Sequence, residues 1–89
     1  MKKLVEDVNG EVVAFYLNKL MGETVTLFCI NYIYTGKLIG ANDTCVLLGD
    51  AKIVYETGPL DSDEWTEAEA LPGDWFVSIA AIESFGRLK

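Results

Sequence analysis

Histidine is absent from this sequence, and the chain has only two cysteines and two prolines. Without an imidazole, general-base catalysis by histidine, a Ser-His-Asp triad and histidine-ligated metal sites are all excluded. The cysteines, Cys29 and Cys45, are too few for a four-cysteine zinc site. They could form a disulfide, but each lies inside an apolar stretch, which favours buried free thiols. We therefore predict that the protein is not an enzyme, with no catalytic residue, metal site or cofactor.

Long apolar runs are also missing. No stretch reaches the roughly 18 residues that a membrane-spanning helix requires. The chain opens with Met1, Lys2 and Lys3, as signal peptides do, but Glu6 and Asp7 follow where such a peptide would have its apolar core. These features predict a cytoplasmic protein without a membrane partner.

Basic side chains are scarce as well. The 89 residues include 7 lysines and arginines against 14 aspartates and glutamates, which gives a net charge of −7. Hydrophobic residues make up 51%, a composition typical of a folded domain, and the length allows only one. A domain of this size buries a thin core, so association between copies would be a natural source of additional stability.

The acidic excess is confined to one part of the chain. Seven acidic residues and no basic residue lie between positions 56 and 74, so the rest of the sequence is electrically balanced. Two glycines and two prolines punctuate this part, and we predict residues 57–74 to be a long acidic loop whose simplest role is solubility. Residues 61–64 could offer oxygen ligands to a divalent cation, although they lack the spacing of an EF-hand loop. Trp65 indicates packing of the loop on the domain or contact with a partner.

The hydrophobic periodicity predicts one helix and five strands. Apolar residues recur at helical spacing over residues 10–21, with Asn9 and Gly22 as capping residues. Alternating β-branched, aromatic and apolar residues predict the strands. The strands cover residues 24–30, 32–40, 45–56, 75–79 and 82–85.

Glycines within the second strand predict a bent sheet. Gly36 and Gly40 interrupt a β-rich run, as happens where a small sheet has to curl. The order of one helix and five short strands then predicts a mainly β fold. It would be a small, strongly bent five-stranded barrel with an N-terminal α-helix, forming a single domain over residues 1–89.

Residues 36–43 carry a pattern of glycine, leucine and acidic or amide residues. Their sequence, Gly-Lys-Leu-Ile-Gly-Ala-Asn-Asp, is similar to the Gly-x-Leu-x-Gly-Phe-Asp stretch of the Sm-like family, which includes the bacterial Hfq proteins. Residues 45–51 resemble the apolar third strand of that family, and residues 77–82 lie where its second motif would fall. The order of elements is also similar over about residues 10–88. The resemblance implies an Sm-like barrel of SH3-like architecture.

The resemblance first implies self-assembly. Family members form rings of about five to seven subunits, in which the fourth strand of one subunit pairs with the fifth strand of its neighbour. The last two predicted strands are short and apolar, and a ring would cover their edges. The alternative is that their side chains fill the chain's own core. The candidate interface residues are Trp75, Phe76, Val77, Ile82 and Phe85.

The resemblance also implies binding of single-stranded RNA around the ring pore, through base stacking and base-edge contacts. The family's acidic position corresponds to Asn42 or Asp43, and its stacking position corresponds to Thr44. The basic position of its second motif corresponds to Ala80 or Ala81. The candidate RNA-binding residues are Asn42, Asp43, Thr44, Lys37 and Tyr32.

Three functions are therefore compatible with the sequence. The first is a homo-oligomeric ring that binds single-stranded RNA weakly or with altered specificity. The second is a ring that serves as a protein-interaction scaffold through the acidic loop and Trp65, without binding RNA. The third is a monomeric adaptor built on an SH3-like barrel.

Overall fold

The computed structural model of the chain describes residues 19–89. The predicted helix over residues 10–21 lies largely outside this part, and its predicted end falls in a turn over residues 19–22. Gly22, which the sequence places just after the helix, has a φ of +87°, a left-handed conformation that favours glycine. The turn leads directly into the first strand.

Six antiparallel strands form a single sheet, which confirms the prediction of a small, mainly β domain. A 3₁₀ turn at Ile79–Ala81 joins the last two strands. The strands are β1 (Thr24–Cys29), β2 (Ile33–Ala41), β3 (Cys45–Glu56), β4 (Glu67–Ala70), β5 (Trp75–Ser78) and β6 (Ile82–Gly86).

Strand β4 was not predicted, and it corrects the description of residues 57–74 as a loop throughout. It pairs with the second half of β3, while β5 pairs with the first half of the same strand. The two short strands thus lie end to end along β3, separated by residues 71–74, where the Leu71 amide donates to the Ala51 carbonyl at 2.8 Å. The physical reason is the length of β3, because its second half would otherwise present an unpaired edge. The irregular loop shrinks to residues 57–66.

The sheet has to curl because its two flanks are joined by a short connection. β5 lies on the outer side of β3 and β6 on the outer side of β1, four strand spacings apart, which is about 19 Å in a flat sheet. The chain from Ser78 to Ile82 spans about 14 Å even when fully extended. The turn between them is further fastened to the end of β1 by a 3.0 Å hydrogen bond from the Ile30 amide to the Ala81 carbonyl.

The two strand glycines lie where β2 is irregular. The register of β2 against β3 shifts between Thr35 and Lys37, around Gly36, and again between Leu38 and Gly40. Such irregularities bend a strand and increase its local twist. Both glycines from which the bend was predicted therefore coincide with a register shift of β2.

The core fills the inside of this curled sheet. Its side chains come from β1, β2, β3 and β5 and are almost completely excluded from solvent. The partly buried rings of Trp75 and Phe85 pack against its margin. The buried core cluster consists of Val25, Leu27, Leu38, Val46, Leu48, Ala51 and Val77.

Two buried threonines in adjacent strands offer a matched test of core polarity. The Thr35 hydroxyl donates to the Val25 carbonyl at 2.9 Å, whereas the Thr26 hydroxyl oxygen has no hydrogen-bond partner among residues 19–89. We expect Thr26→Val to raise the free energy of unfolding by about 1 kcal/mol, because a buried hydroxyl without a partner is costly. Thr35→Val should lower it by a similar amount. Urea unfolding of both variants measures this, and shifts of the same sign would contradict it.

Candidate functional site

The turn between β2 and β3 contains three of the candidate RNA-binding residues. The Asn42 side-chain oxygen accepts hydrogen bonds from the Thr44 amide at 2.8 Å, the Thr44 hydroxyl at 3.0 Å and the Cys45 amide at 2.9 Å. The backbone amide of Asn42 also donates to the Cys45 carbonyl at 3.0 Å. Asparagine is favoured here because its side chain can hold such a turn closed. The oxygen of Asn42 is thus committed to the turn, while Asp43 is exposed.

The two stretches that resemble family motifs meet at this turn. The Thr44 carbonyl accepts a 2.9 Å hydrogen bond from the Ile79 amide, the first residue of the 3₁₀ turn. Ala80, at one of the positions that correspond to the family's basic residue, is exposed within that turn. The surface formed by the two turns therefore carries small and polar side chains, and neither turn contributes a lysine or arginine.

The other two RNA-binding candidates lie elsewhere on the sheet. Lys37 is exposed in the middle of β2, and Tyr32 precedes the opposite end of that strand from Asn42. A strand of nine residues is about 30 Å long, so these side chains do not form one site. Tyr32 is 52% exposed, with its ring centroid 6.3 Å from that of Tyr34. The five candidates thus occupy three separate places.

The two cysteines of the described residues are not joined to each other. Cys29 and Cys45 are free and partly buried, which confirms the prediction of free thiols. Burial raises the pKa of Cys29, so its reactive thiolate form is disfavoured.

Residues 19–89 hold no group of three or more cysteine, aspartate or glutamate side chains placed to bind a metal ion. No helix in the same part of the chain is long and apolar enough to cross a membrane.

A cleft of about 800 Å³ lies between the face of β2 and β3 and the loop at residues 57–66. Lys37 and Lys52 line one side, and Trp65 lines the other. Asp50, also at the cleft, has a φ of +49° and lies at the irregularity where β3 changes its partner from β5 to β4. Aspartate tolerates this left-handed conformation better than most residues, and it lets β3 turn toward the loop.

Lys89 crosses this cleft and holds the loop. Its Nζ donates to the carbonyl oxygens of Thr57 at 2.9 Å, Pro59 at 2.8 Å and Glu64 at 2.7 Å. It also lies 4.6 Å from the centroid of the Trp65 ring. The loop predicted as solubilising is therefore an organised structure, and Trp65 packs against a cation of its own chain.

The basic residues of the described chain lie outside the two motif turns. Arg87 lies 3.5 Å from the Glu23 carboxylate at the surface. Lys37, Lys52 and Lys89 share the cleft with four acidic side chains. Positive charge in the described chain is consequently gathered on the cleft and away from the two motif turns. The acidic side chains of the cleft are Asp50, Asp63, Glu64 and Glu67.

The candidate interface residues divide into core and surface. Val77 is 5% exposed and belongs to the core cluster, because it faces the inside of the sheet. Trp75, Ile82 and Phe85 are partly buried against the same core, as the alternative interpretation proposed. Phe76 points the other way and is 68% exposed. Only this aromatic residue of the set is freely available for contact.

Two sheet edges are open among the described residues. β4 and β5 pair with β3 alone and together form one edge, and β6 pairs with β1 alone and forms the other. Each strand therefore presents one row of backbone amide and carbonyl groups without a partner in residues 19–89. Phe76 lies on the first of these edges, beside Leu47 of β3.

Sequence reasoning missed Lys89 as a site residue. Its three acceptors lie 32, 30 and 25 residues earlier in the chain, and no local pattern signals a contact at such separations. The isolated Trp65 in an acidic segment was the one available indication. No protein-family model matches this sequence, and no curated protein shows significant similarity to it.

Proposed function

We propose that the chain is a small Sm-like barrel that assembles into a homo-oligomeric ring and acts as a protein-interaction scaffold. The cleft beside the loop at residues 57–66 would be the surface that meets a partner. The observation that carries the proposal is the organised cleft, which combines an indole, side chains of both charges and a preformed loop. The scaffold was the second of the three functions that the sequence allowed.

Assembly is supported by the two open edges. An exposed strand edge invites pairing with another chain, and a head-to-tail contact between β5 of one copy and β6 of the next would cover both edges. Repeated around an axis, such a contact closes into a ring, with about five to seven copies in the family that the sequence resembles. The exposed side chain of Phe76 would be buried at the same contact.

The distribution of charge favours a protein partner over RNA. Affinity for nucleic acids depends largely on lysine and arginine side chains that neutralise phosphates. The two motif turns have none, and the cleft lysines are accompanied by carboxylates. A ring would also repeat the net charge of −7 in every subunit.

A second candidate function is binding of single-stranded RNA at the motif turns. It is favoured by the hydrogen bond between Thr44 and Ile79, which brings the two family motifs to one surface. Asp43 is exposed there and could read a base edge, while Tyr32 offers a ring for stacking elsewhere. Such binding would be weak and strongly dependent on salt.

Native mass spectrometry of protein purified without nuclease treatment tests both functions. We expect a ring of about five to seven copies of the 9.8 kDa chain, without bound nucleic acid. A labelled uridine oligonucleotide should then show no saturable binding to the ring at physiological salt. Saturable binding that is lost in Lys37→Ala or Thr44→Ala would favour the RNA function instead. A stable monomer would contradict the assembly on which both functions depend.

Replacing residues 57–66 with Asn-Gly provides the structural control. The replacement removes the loop but keeps β3 and β4, whose ends pair through Glu56 and Glu67, and joins them by a two-residue hairpin turn. We expect the ring to persist in this variant, because the proposed contact between copies uses β5 and β6, which the replacement leaves unchanged. Dissociation of the ring would show that the loop serves assembly rather than partner binding.

A further inference from the structure

The loop at residues 57–66 surrounds one ammonium group. The Nζ of Lys89 has three N–H donors, and three backbone carbonyls meet it at 2.7 to 2.9 Å. The face of Trp65 supplies a fourth contact, 4.6 Å from ring centroid to nitrogen. Every donor of the ammonium can thus be satisfied by the loop.

The backbone of the loop is shaped for this arrangement. Gly58 lies between two of the residues whose carbonyl oxygens accept from Lys89, and it has a φ of +68°; a Cβ atom there would collide with the Thr66 hydroxyl. The Ser62 amide donates to the Pro59 carbonyl at 3.1 Å, and the Glu64 amide donates to the Ser62 hydroxyl at 3.2 Å. The loop therefore closes on itself through its own turns, and its carbonyls converge on one point.

The chemistry of the site selects a primary ammonium group. Three convergent carbonyl oxygens suit a compact group with three rotatable donors, whereas a guanidinium presents its donors in a flat fork. An aromatic face attracts a cation, and the carboxylates of Asp61, Asp63 and Glu64 add a negative field around the loop. A lysine side chain satisfies all of these conditions.

We infer that residues 57–66 form a receptor for a lysine ammonium group, which the chain's own Lys89 occupies. A lysine of a partner protein would bind by displacing Lys89 from the three carbonyls and the Trp65 ring. This inference rests on the proposed function in one respect, namely that the cleft is the surface that meets a partner. The internal contact of Lys89 competes with the partner lysine, so the partner binds only when Lys89 leaves the three carbonyls.

The test begins with Lys89→Met, which keeps the length of the side chain and removes the ammonium. We expect cleavage by a Glu-specific protease after Glu64 to accelerate at least about tenfold, because charge-assisted hydrogen bonds to the loop are lost. Lys52→Met, a change of the same kind at the same cleft, should leave the cleavage rate within about twofold of the original. Lys89→Arg should resemble Lys89→Met, because the planar group does not fit the three carbonyls.

Binding is then measured by ¹⁹F NMR of Lys89→Met labelled with 5-fluorotryptophan. A peptide acetyl-Gly-Lys-Gly-amide should move the Trp65 signal saturably toward its position in the unaltered protein. The same peptide with an acetylated lysine side chain should not, and neither should tetramethylammonium at equal ionic strength, since it has no N–H donor.

Three outcomes would overturn the inference. They are an unchanged cleavage rate in Lys89→Met, no saturable shift with the lysine peptide, and an equal shift with tetramethylammonium. Native mass spectrometry of Lys89→Met separates this failure from that of the proposed function. If the ring persists and the peptide does not bind, only the lysine receptor is contradicted. If the protein is a monomer and binds the peptide, only the ring is contradicted.

Discussion

Replacing Phe76 with aspartate is expected to convert the proposed ring into monomers without unfolding the chain. Phe76 is 68% exposed on β5, at one of the two open edges, so the isolated subunit loses little when this ring is removed. At an interface, the same change deletes an aromatic contact and introduces a carboxylate that must be desolvated. Changes of this kind at central interface positions cost about 2 to 4 kcal/mol, and a ring carries the loss at every contact.

Size-exclusion chromatography with light scattering measures the mass of the variant, and circular dichroism checks its fold. Leu60→Asp is the matched control, because Leu60 is 55% exposed but lies in the loop, away from both edges. We expect this control to remain a ring. If Phe76→Asp keeps the mass of the original assembly, β5 does not form the contact. If both variants dissociate, added negative charge rather than the edge would be responsible.

The strands of the body were predictable because their pattern is local. Burial alternates along much of β3, and in β1 the apolar Val25 and Leu27 are buried on either side of Thr26, which is buried as well. β4 escaped prediction because its four residues, Glu67–Ala70, are all exposed and carry no apolar pattern. Its strand conformation comes from the long β3 beside it, so only the tertiary structure specifies it.

The candidate site was less predictable than the fold. Asn42 was named as an RNA-binding candidate by its position in the motif, and in the structure its side-chain oxygen closes the turn through three hydrogen bonds. A turn-forming asparagine and a ligand-reading asparagine look identical in sequence. The burial of Val77 was open in the sequence for a related reason, because alternation along a strand reveals that two faces exist but not which of them meets the core.

Gly36 is expected to be the more sensitive of the two strand glycines that predicted the bend. A Cβ atom at Gly36 would lie 3.0 Å from the Gly49 carbonyl oxygen, 3.1 Å from the Ala51 Cα and 3.2 Å from the Leu48 Cβ. Two of these atoms belong to the backbone of β3, which cannot yield without opening its pairing with β2. We expect Gly36→Ala to lower the free energy of unfolding by about 3 kcal/mol, the upper part of the range for overpacked sites.

Gly40→Ala is the matched control on the same strand. Its Cβ would lie 3.6 Å from the Leu47 Cβ, an ordinary van der Waals distance. We expect its unfolding free energy to stay within about 1 kcal/mol of the original, because alanine also restricts the unfolded chain. Urea unfolding measures both variants, and equal losses would mean that the bend at Gly40 needs glycine as much as the close approach at Gly36. A loss of stability in Gly36→Ala alone would show that glycine is required where β2 lies close to the irregular part of β3, beside Asp50 and the cleft.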